Sequence, residues 1–203
     1  MAKTKVVKFN VKNLKFSFAT GGVFAAPADL AYAVQVTLEA DYNEKKLYGD
    51  GQIIGIIGDD KGKKGSIVVT NIEQAYEIAC GRARLVQGGS AEVQQRKTIP
   101  HAIYFETDAF VDGDTVTFKN WLFEVITGKP SESYQQTEDD PTVNTYSYPL
   151  TALGTNLKAA DGLTDYVDDK GNTVKVFRIV SAPEDTGYAT FGDTVPTPKV
   201  PAA

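Results

Sequence analysis

Apolar side chains recur at every second position through most of this chain, and only one short stretch has the three-and-four spacing of a helix. The cleanest run is 28–42. Leu30, Tyr32, Val34, Val36, Leu38, Ala40 and Tyr42 fall on one face, and Gln35, Thr37, Glu39 and Asp41 on the other. That alternation predicts a long antiparallel strand, buried on one face only. A second pair of long strands is predicted over 99–130, folded about Asp112-Gly113. Asp-Gly suits a type I′ turn, whose central residues both need positive φ. On the first of these strands Ile103, Phe105, Ala109 and Val111 share a face, opposite Tyr104, Glu106 and Asp108. On the second, Val116 and Phe118 keep one parity, then Trp121, Phe123 and Val125 take the other. A period of two changes phase only through an extra residue, which places a β-bulge near Lys119-Asn120. The 6–18 segment switches phase in the same way, from Val7, Phe9 and Val11 to Leu14, Phe16 and Phe18.

Between these segments the pattern is broken by polar residues. Asn43 to Gly51 (NEKKLYGDG) reads as a polar excursion longer than a tight turn. The runs at 52–58 and 65–70 then pair as a hairpin around 59–64, DDKGKK. Segment 82–97 is polar and has no clear period. The 142–155 segment alternates again, with Tyr146, Tyr148, Leu150 and Ala152 in register, and Pro149 places it at an edge or a bulge. The last strand is 173–180, apolar on both faces. One helix is predicted, N-capped by Asn71 with Gln74 three residues on, striped by Ile72, Ala75, Tyr76 and Ala79, and stopped by Gly81. Seven to nine strands with turn signals between them predict a mainly β fold: two packed antiparallel sheets, sandwich- or barrel-like, with one flanking helix, a long loop and extended terminal arms. Residues 1–182 make one β domain including an N-terminal arm, 1–18. Residues 183–203, with four prolines and few apolar anchors after Phe191, make an extended or disordered tail.

Composition narrows the function more by exclusion than by motif. The 203 residues are 42% hydrophobic and 23% charged, with a net charge of −5. That balance argues against a protein that works by neutralising phosphates, and suits a surface that must not adhere to DNA. The basic arm with Lys3, Lys5, Lys8, Lys12 and Lys15 is read as a solvated strand face or as an arm that meets an acidic neighbour. The single cysteine, Cys80, rules out an intramolecular disulfide and is read as a small buried residue on the helix. There is no apolar run of about 18 residues, and the start MAKTKVVKFN has no signal-peptide core, so the chain is expected to be soluble and made in a cytoplasm. The Gly-rich QIIGIIGDDKGKKG lacks the closing Gly-Lys-Ser/Thr of a phosphate loop. His101 is read as a surface histidine at a strand end, and the Asp clusters at 59–60, 112–114, 139–140 and 165–169 as turn residues. No catalytic, cofactor-binding or metal-binding residues stand out, and no enzyme is expected.

Four segments in a fixed order carry a resemblance. They are Leu47-Tyr48-Gly49-Asp50-Gly51, the helix from Asn71 to Cys80, Ile99-Pro100-His101-Ala102-Ile103-Tyr104, and Gly128-Lys129-Pro130-Ser131-Glu132-Ser133-Tyr134 with Thr137 beyond it. Over 16–157 the chain resembles the major tail protein, the tail tube subunit, of long-tailed bacteriophages. Members of that family often end soon after the strand corresponding to 142–157, whereas this chain runs on through 161–180. The resemblance implies a structural virion protein, assembled in the cytoplasm of a bacterial host. Six copies would form a ring, rings would stack into a tube, and DNA would pass through the lumen without specific binding. Implied partners are other copies of the chain, the tape measure protein, the tail terminator and the baseplate or initiator proteins, with no membrane and no cofactor. On this reading Gln35, Thr37, Glu39 and Asp41 are candidate lumen-lining residues. Asn43, Glu44, Lys45, Lys46, Tyr48 and Asp50 are candidates for the loop that contacts the next ring. Two other readings fit the same pattern: a β-sandwich adhesin or carbohydrate-binding module, and the tube protein of a contractile injection system or phage-tail-like bacteriocin.

Overall fold

The computed structural model describes residues 6–132 and 144–201. The chain runs through β1 (Val6–Thr20), β2 (Val23–Phe24), β3 (Ala28–Asp29), β4 (Ala33–Gly49) and β5 (Gln52–Val69), then the helix α1 (Gln74–Ala79). A small hairpin of β6 (Ala83–Val86) and β7 (Gly89–Glu92) follows, then the long pair β8 (His101–Val111) and β9 (Asp114–Thr127). The remaining strands are β10 (Tyr146–Ala152), β11 (Thr155–Asn156), β12 (Lys175–Val176) and β13 (Arg178–Ser181), with a 3₁₀ turn at Tyr188–Thr190.

The fold is mainly β, antiparallel, with one short α-helix. One nine-stranded sheet has the order β2-β1-β8-β9-β10-β5-β4, with β3 added to β1 and β13 to β9; β6–β7 and β11–β12 form separate two-stranded sheets. Leu14 and Phe16 of β1 share a single buried cluster with Ile67 and Val69 of β5, from the other end of the strand order. The sheet must therefore curl round its own core. Tyr76 and Cys80 of the α1 segment join that cluster. A second, smaller cluster lies on the opposite face of β8–β9. There Ala102, Tyr104, Trp121 and Phe123 are covered by Val176, Ile179, Phe191 and Val195 from the C-terminal segment.

This second cover explains a misplaced bulge. The β8–β9 ladder is regular from Ile103↔Leu122 to Val111↔Asp114, straight through Lys119 and Asn120. The single register shift lies between His101 and Ile103, opposite Glu124, whose φ is 49°. Trp121 and Phe123 break the sequence alternation because β9 is buried on both faces there. The predicted turn is present, with φ 50° at Asp112 and 108° at Gly113. In β1 the phase switch is real: register shifts fall around Asn10 and Asn13, with φ of 57° and 52°. Asn tolerates the left-handed region, and each amide is held from the neighbouring strand, Asn10 Nδ2 by Asp108 (2.9 Å) and Asn13 Nδ2 by Glu106 (2.7 Å).

The region 28–70 is built differently from its sequence expectation. Between 28 and 51 the strands are 28–29 and 33–49, and Asn43 to Gly49 is not a loop: it is the far half of β4, paired with β5 up to Gly49↔Gln52. The reversal is at Asp50-Gly51 (φ 51° and 77°), so Asp59 to Lys64 is strand and not a turn. Gly62, at φ 114°, is needed in that strand, because a Cβ there would lie 2.2 Å from the Ala152 carbonyl oxygen. The helix also starts later than expected. Glu73 is the N-cap, without a side-chain cap bond, while Gly81 (φ 73°) follows the C-cap as expected. The 183–201 segment is not a free tail. Trp121 Nε1 donates to Phe191 O (2.7 Å) and Lys119 Nζ to Tyr188 O (2.8 Å), fastening it across β9. Residues Ser133, Tyr134, Thr137 and the Asp139-Asp140 pair lie outside the described residues.

Candidate assembly surface

β10 pairs with β5 only over Lys63–Val69, so below Gly62 the β4–β5 pair leaves the main sheet as a two-stranded ribbon. Cross-strand partners point to the same side, and this assigns the ribbon's two faces. Tyr42, Tyr48, Ile53 and Ile56 lie on one, and Leu47, Ile54 and Ile57 on the other, the phase of β5 changing at Ile54 where the register shifts. All seven are exposed, Ile54 at 71% and Tyr48 at 67%. A Cβ on Gly58 would meet the Tyr42 ring, and one on Gly49 the Ile54 side chain, so glycines make room for large neighbours. Asn43, Glu44, Lys45, Lys46, Tyr48 and Asp50 all belong to this ribbon and its turn. What the sequence suggested as a polar loop is therefore an apolar, projecting β-ribbon.

Gln35, Thr37, Glu39 and Asp41 do lie together, on the outward face of β4 nearer the body, with Val36 and Leu38 turned to the core. Tyr32 and Val34, predicted on the core side, are exposed, because a register shift falls between Ala33 and Gln35. The outward face extends across the sheet in rows: Gln35–Val68–Ser147, Thr37–Ser66–Pro149 and Glu39–Lys64–Thr151. It is built of small and polar side chains. Lys64 stands opposite Glu39 and 3.8 Å from Asp41, so the acidic run seen in the sequence is partly balanced by its partner strand.

The strands also have free edges. Among the described residues, β4 pairs with β5 alone, β5 has no second neighbour over 52–62, and β1 has none on its outer edge over 6–13. Val6, Val7 and Phe9 at this end of β1 are exposed, with the Phe9 ring stacked on Phe110 at 4.6 Å.

His101 is buried, 1% exposed, and not on the surface. It belongs to a hydrogen-bonded relay that the sequence did not reveal. Nδ1 lies 3.0 Å from the Ile99 carbonyl, which can only accept, so Nδ1 carries the proton and Nε2 accepts from the Tyr76 hydroxyl at 2.8 Å. Tyr76 then accepts from Thr127 Oγ1 (2.7 Å), which accepts from Arg82 Nη1 (3.1 Å). The guanidinium, 1% exposed, also forks onto Glu77 at 2.8 and 2.9 Å and donates to the carbonyls of Thr127 and Gly128. The Tyr148 hydroxyl donates to Glu77 Oε1 (3.0 Å). Every polar group in the relay has a partner, so it ties α1 to β8, β9 and β10 rather than presenting reactive groups. A charged residue just beyond the helix-stopping Gly81, five places after a helical glutamate, was the available signal. Cys80 is buried beside it, and burial pushes its thiol pKa up, away from the thiolate.

Burial lowers the His101 pKa from 6.5 to about 4. The unfolded chain takes up this proton below about 6.5 while the folded chain refuses it, so stability is constant above that pH and falls as pH drops toward 4. The loss expected from this group is on the order of 3 kcal/mol. Urea midpoints at pH 7.0 and 4.5 measure it, and His101→Gln, which keeps an acceptor for Tyr76, should remove most of the difference. Asp108, held at about 2 by Lys12, Thr117 and Asn10, acts only at lower pH.

Among the described residues, no group of three or more His, Cys, Asp or Glu is placed to hold a metal ion, and no helix is long and apolar enough to cross a membrane. No protein-family model and no curated protein matches the chain.

Proposed function

We propose that this chain is the repeating subunit of a tube, a tail tube protein of the type its sequence resembles, with six copies per ring and rings stacked round a lumen that carries DNA. The observation that carries this reading is the β4–β5 ribbon. A lone two-stranded ribbon is marginally stable in water, and this one has seven large apolar side chains in solvent, distributed over both faces. Long unpaired edges and apolar patches of this kind favour association in solution. In a ring and a stack they become contacts between identical copies. The ribbon is the inter-ring element. The outward face of β4–β5–β10, with Gln35, Thr37, Glu39 and Asp41 among mostly uncharged side chains and Lys64 beside Glu39 and Asp41, is the lumen wall. Such a wall offers passing phosphates few cations to bind. The curled sheet supplies the two opposed β walls of a tail-tube sandwich. The tape measure protein, the terminator and the initiator complex are the other partners this role requires, and the assembled virion tail is the location.

Negative-stain electron microscopy of the purified protein, with light scattering over a concentration series, tests the proposal. Hollow rings or striated tubes are the expected result. A protein that stays monomeric at high concentration and binds defined glycans on an array would replace the tube with an adhesin.

A further inference from the structure

The ribbon identifies the part of the molecule that is exposed, but not what it meets. We infer that the free β5 edge of the ribbon, 52–62, pairs as a strand with the free β1 edge, 6–13, of a second copy of this chain. The inference rests on the tube reading and adds the site on the partner.

Three observations select β1. First, the ribbon strand has the composition of a strand buried on both faces, since Ile53 and Ile56 occupy one side and Ile54 and Ile57 the other. Such a strand needs a neighbour on its edge as well as cover on its faces. Second, β1 offers an unpaired edge of similar length whose exposed residues, Val6, Val7 and Phe9, are apolar on both parities. Its register shifts lie toward the far end of that stretch, around Asn10 and Asn13, so 6–9 is a regular ladder. Third, the charges are complementary. Among the described residues Lys8 has no carboxylate partner: its ammonium lies 4.9 Å from the Phe118 ring, and burial and the nearby Arg178 lower its pKa. On the ribbon side Asp59 is exposed, with only a loose 3.8 Å approach from Lys61. The Asp59 carboxylate brought beside β1 relieves the Lys8–Arg178 repulsion. The contact joins two different surfaces of one chain, so it is heterologous and propagates from copy to copy.

Cysteine crosslinking tests this without assuming a register. Val7→Cys protein is mixed separately with Ile53→Cys, Ile54→Cys, Ile56→Cys and Ile57→Cys proteins under mild oxidation. The unmodified chain, whose only thiol is the buried Cys80, is the blank. A Leu85→Cys variant on the exposed β6–β7 hairpin is the control for random collision. Strand pairing predicts a face preference: either 53 and 56, or 54 and 57, form the mixed disulfide at least about ten times faster than the other two and than Leu85→Cys. Rings or tubes with equal rates at all five positions would overturn the β1–β5 pairing and leave the tube intact. Neither assembly nor crosslinks would overturn both.

Discussion

Arg82→Leu is expected to lower the unfolding free energy by about 3–5 kcal/mol, enough to leave a domain of ordinary stability partly unfolded at 25 °C. The size follows from what the substitution leaves behind. Glu77 is 8% exposed and takes both prongs of the guanidinium. Without Arg82 it becomes a buried carboxylate with one remaining bond, from Tyr148. Two backbone carbonyls, of Thr127 and Gly128, lose their donor as well, and Thr127 Oγ1 loses the bond that sets the direction of the relay. Urea denaturation followed by Trp121 fluorescence measures the loss. The double variant Arg82→Leu/Glu77→Leu discriminates the cause. It removes the stranded charge, so it should be more stable than Arg82→Leu alone. A double variant as unstable as the sum of the single ones would mean that Arg82 acts through packing against Tyr76 and Tyr148, and not through the ion pair.

Ile54→Lys together with Ile57→Lys is expected to abolish assembly while leaving the fold untouched. The two side chains, 71% and 55% exposed, lie on the same face of the ribbon and away from both buried clusters. Charged residues on an edge strand block strand addition at little cost to the monomer. Desolvating either lysine against an apolar partner would cost several kcal/mol per contact, so the concentration needed for tubes should rise by more than about a hundredfold. Unchanged thermal unfolding with loss of tubes in electron micrographs is the expected pair of results. Tubes of normal appearance from this double variant would remove the ribbon from the assembly interface.

The two expected effects arise in regions of different legibility. The Arg82 relay was invisible in sequence because its members come from α1, the turn after Gly81, β8, β9 and β10, and nothing local relates Glu77 to Tyr148 or His101 to Thr127. His101, the only histidine, read as a surface residue because Pro100 and a strand start normally lie at a surface. It is buried because the β1 ring of Phe18 stacks on it at 4.5 Å and α1 closes over it. The ribbon was half legible. Leu47-Tyr48-Gly49-Asp50-Gly51 carries part of the resemblance, but NEKK reads as a break in the strand. The consecutive charges Glu44, Lys45 and Lys46 are compatible with a strand exposed on both faces, and the sequence contains no information on whether a neighbour covers it.

The alternation along the chain, the turn dipeptides and the helix-stopping Gly81 determined by themselves that this is an antiparallel β protein. They also determined that Asp112-Gly113 reverses a hairpin and that β1 changes phase, because backbone geometry at those points depends only on adjacent residues. Tertiary structure alone decided that Asp50-Gly51, rather than 59–64, reverses the second hairpin, since either turn satisfies the local preferences. Pairing β4 with β5 wins because it joins the facing edges of two long strands over almost their whole length. Tertiary structure also decided that β9 is apolar on both faces without a bulge at Lys119-Asn120, and that the proline-rich end is fastened. Both follow from one contact between segments some seventy residues apart, Phe191 against Trp121, which no local pattern encodes.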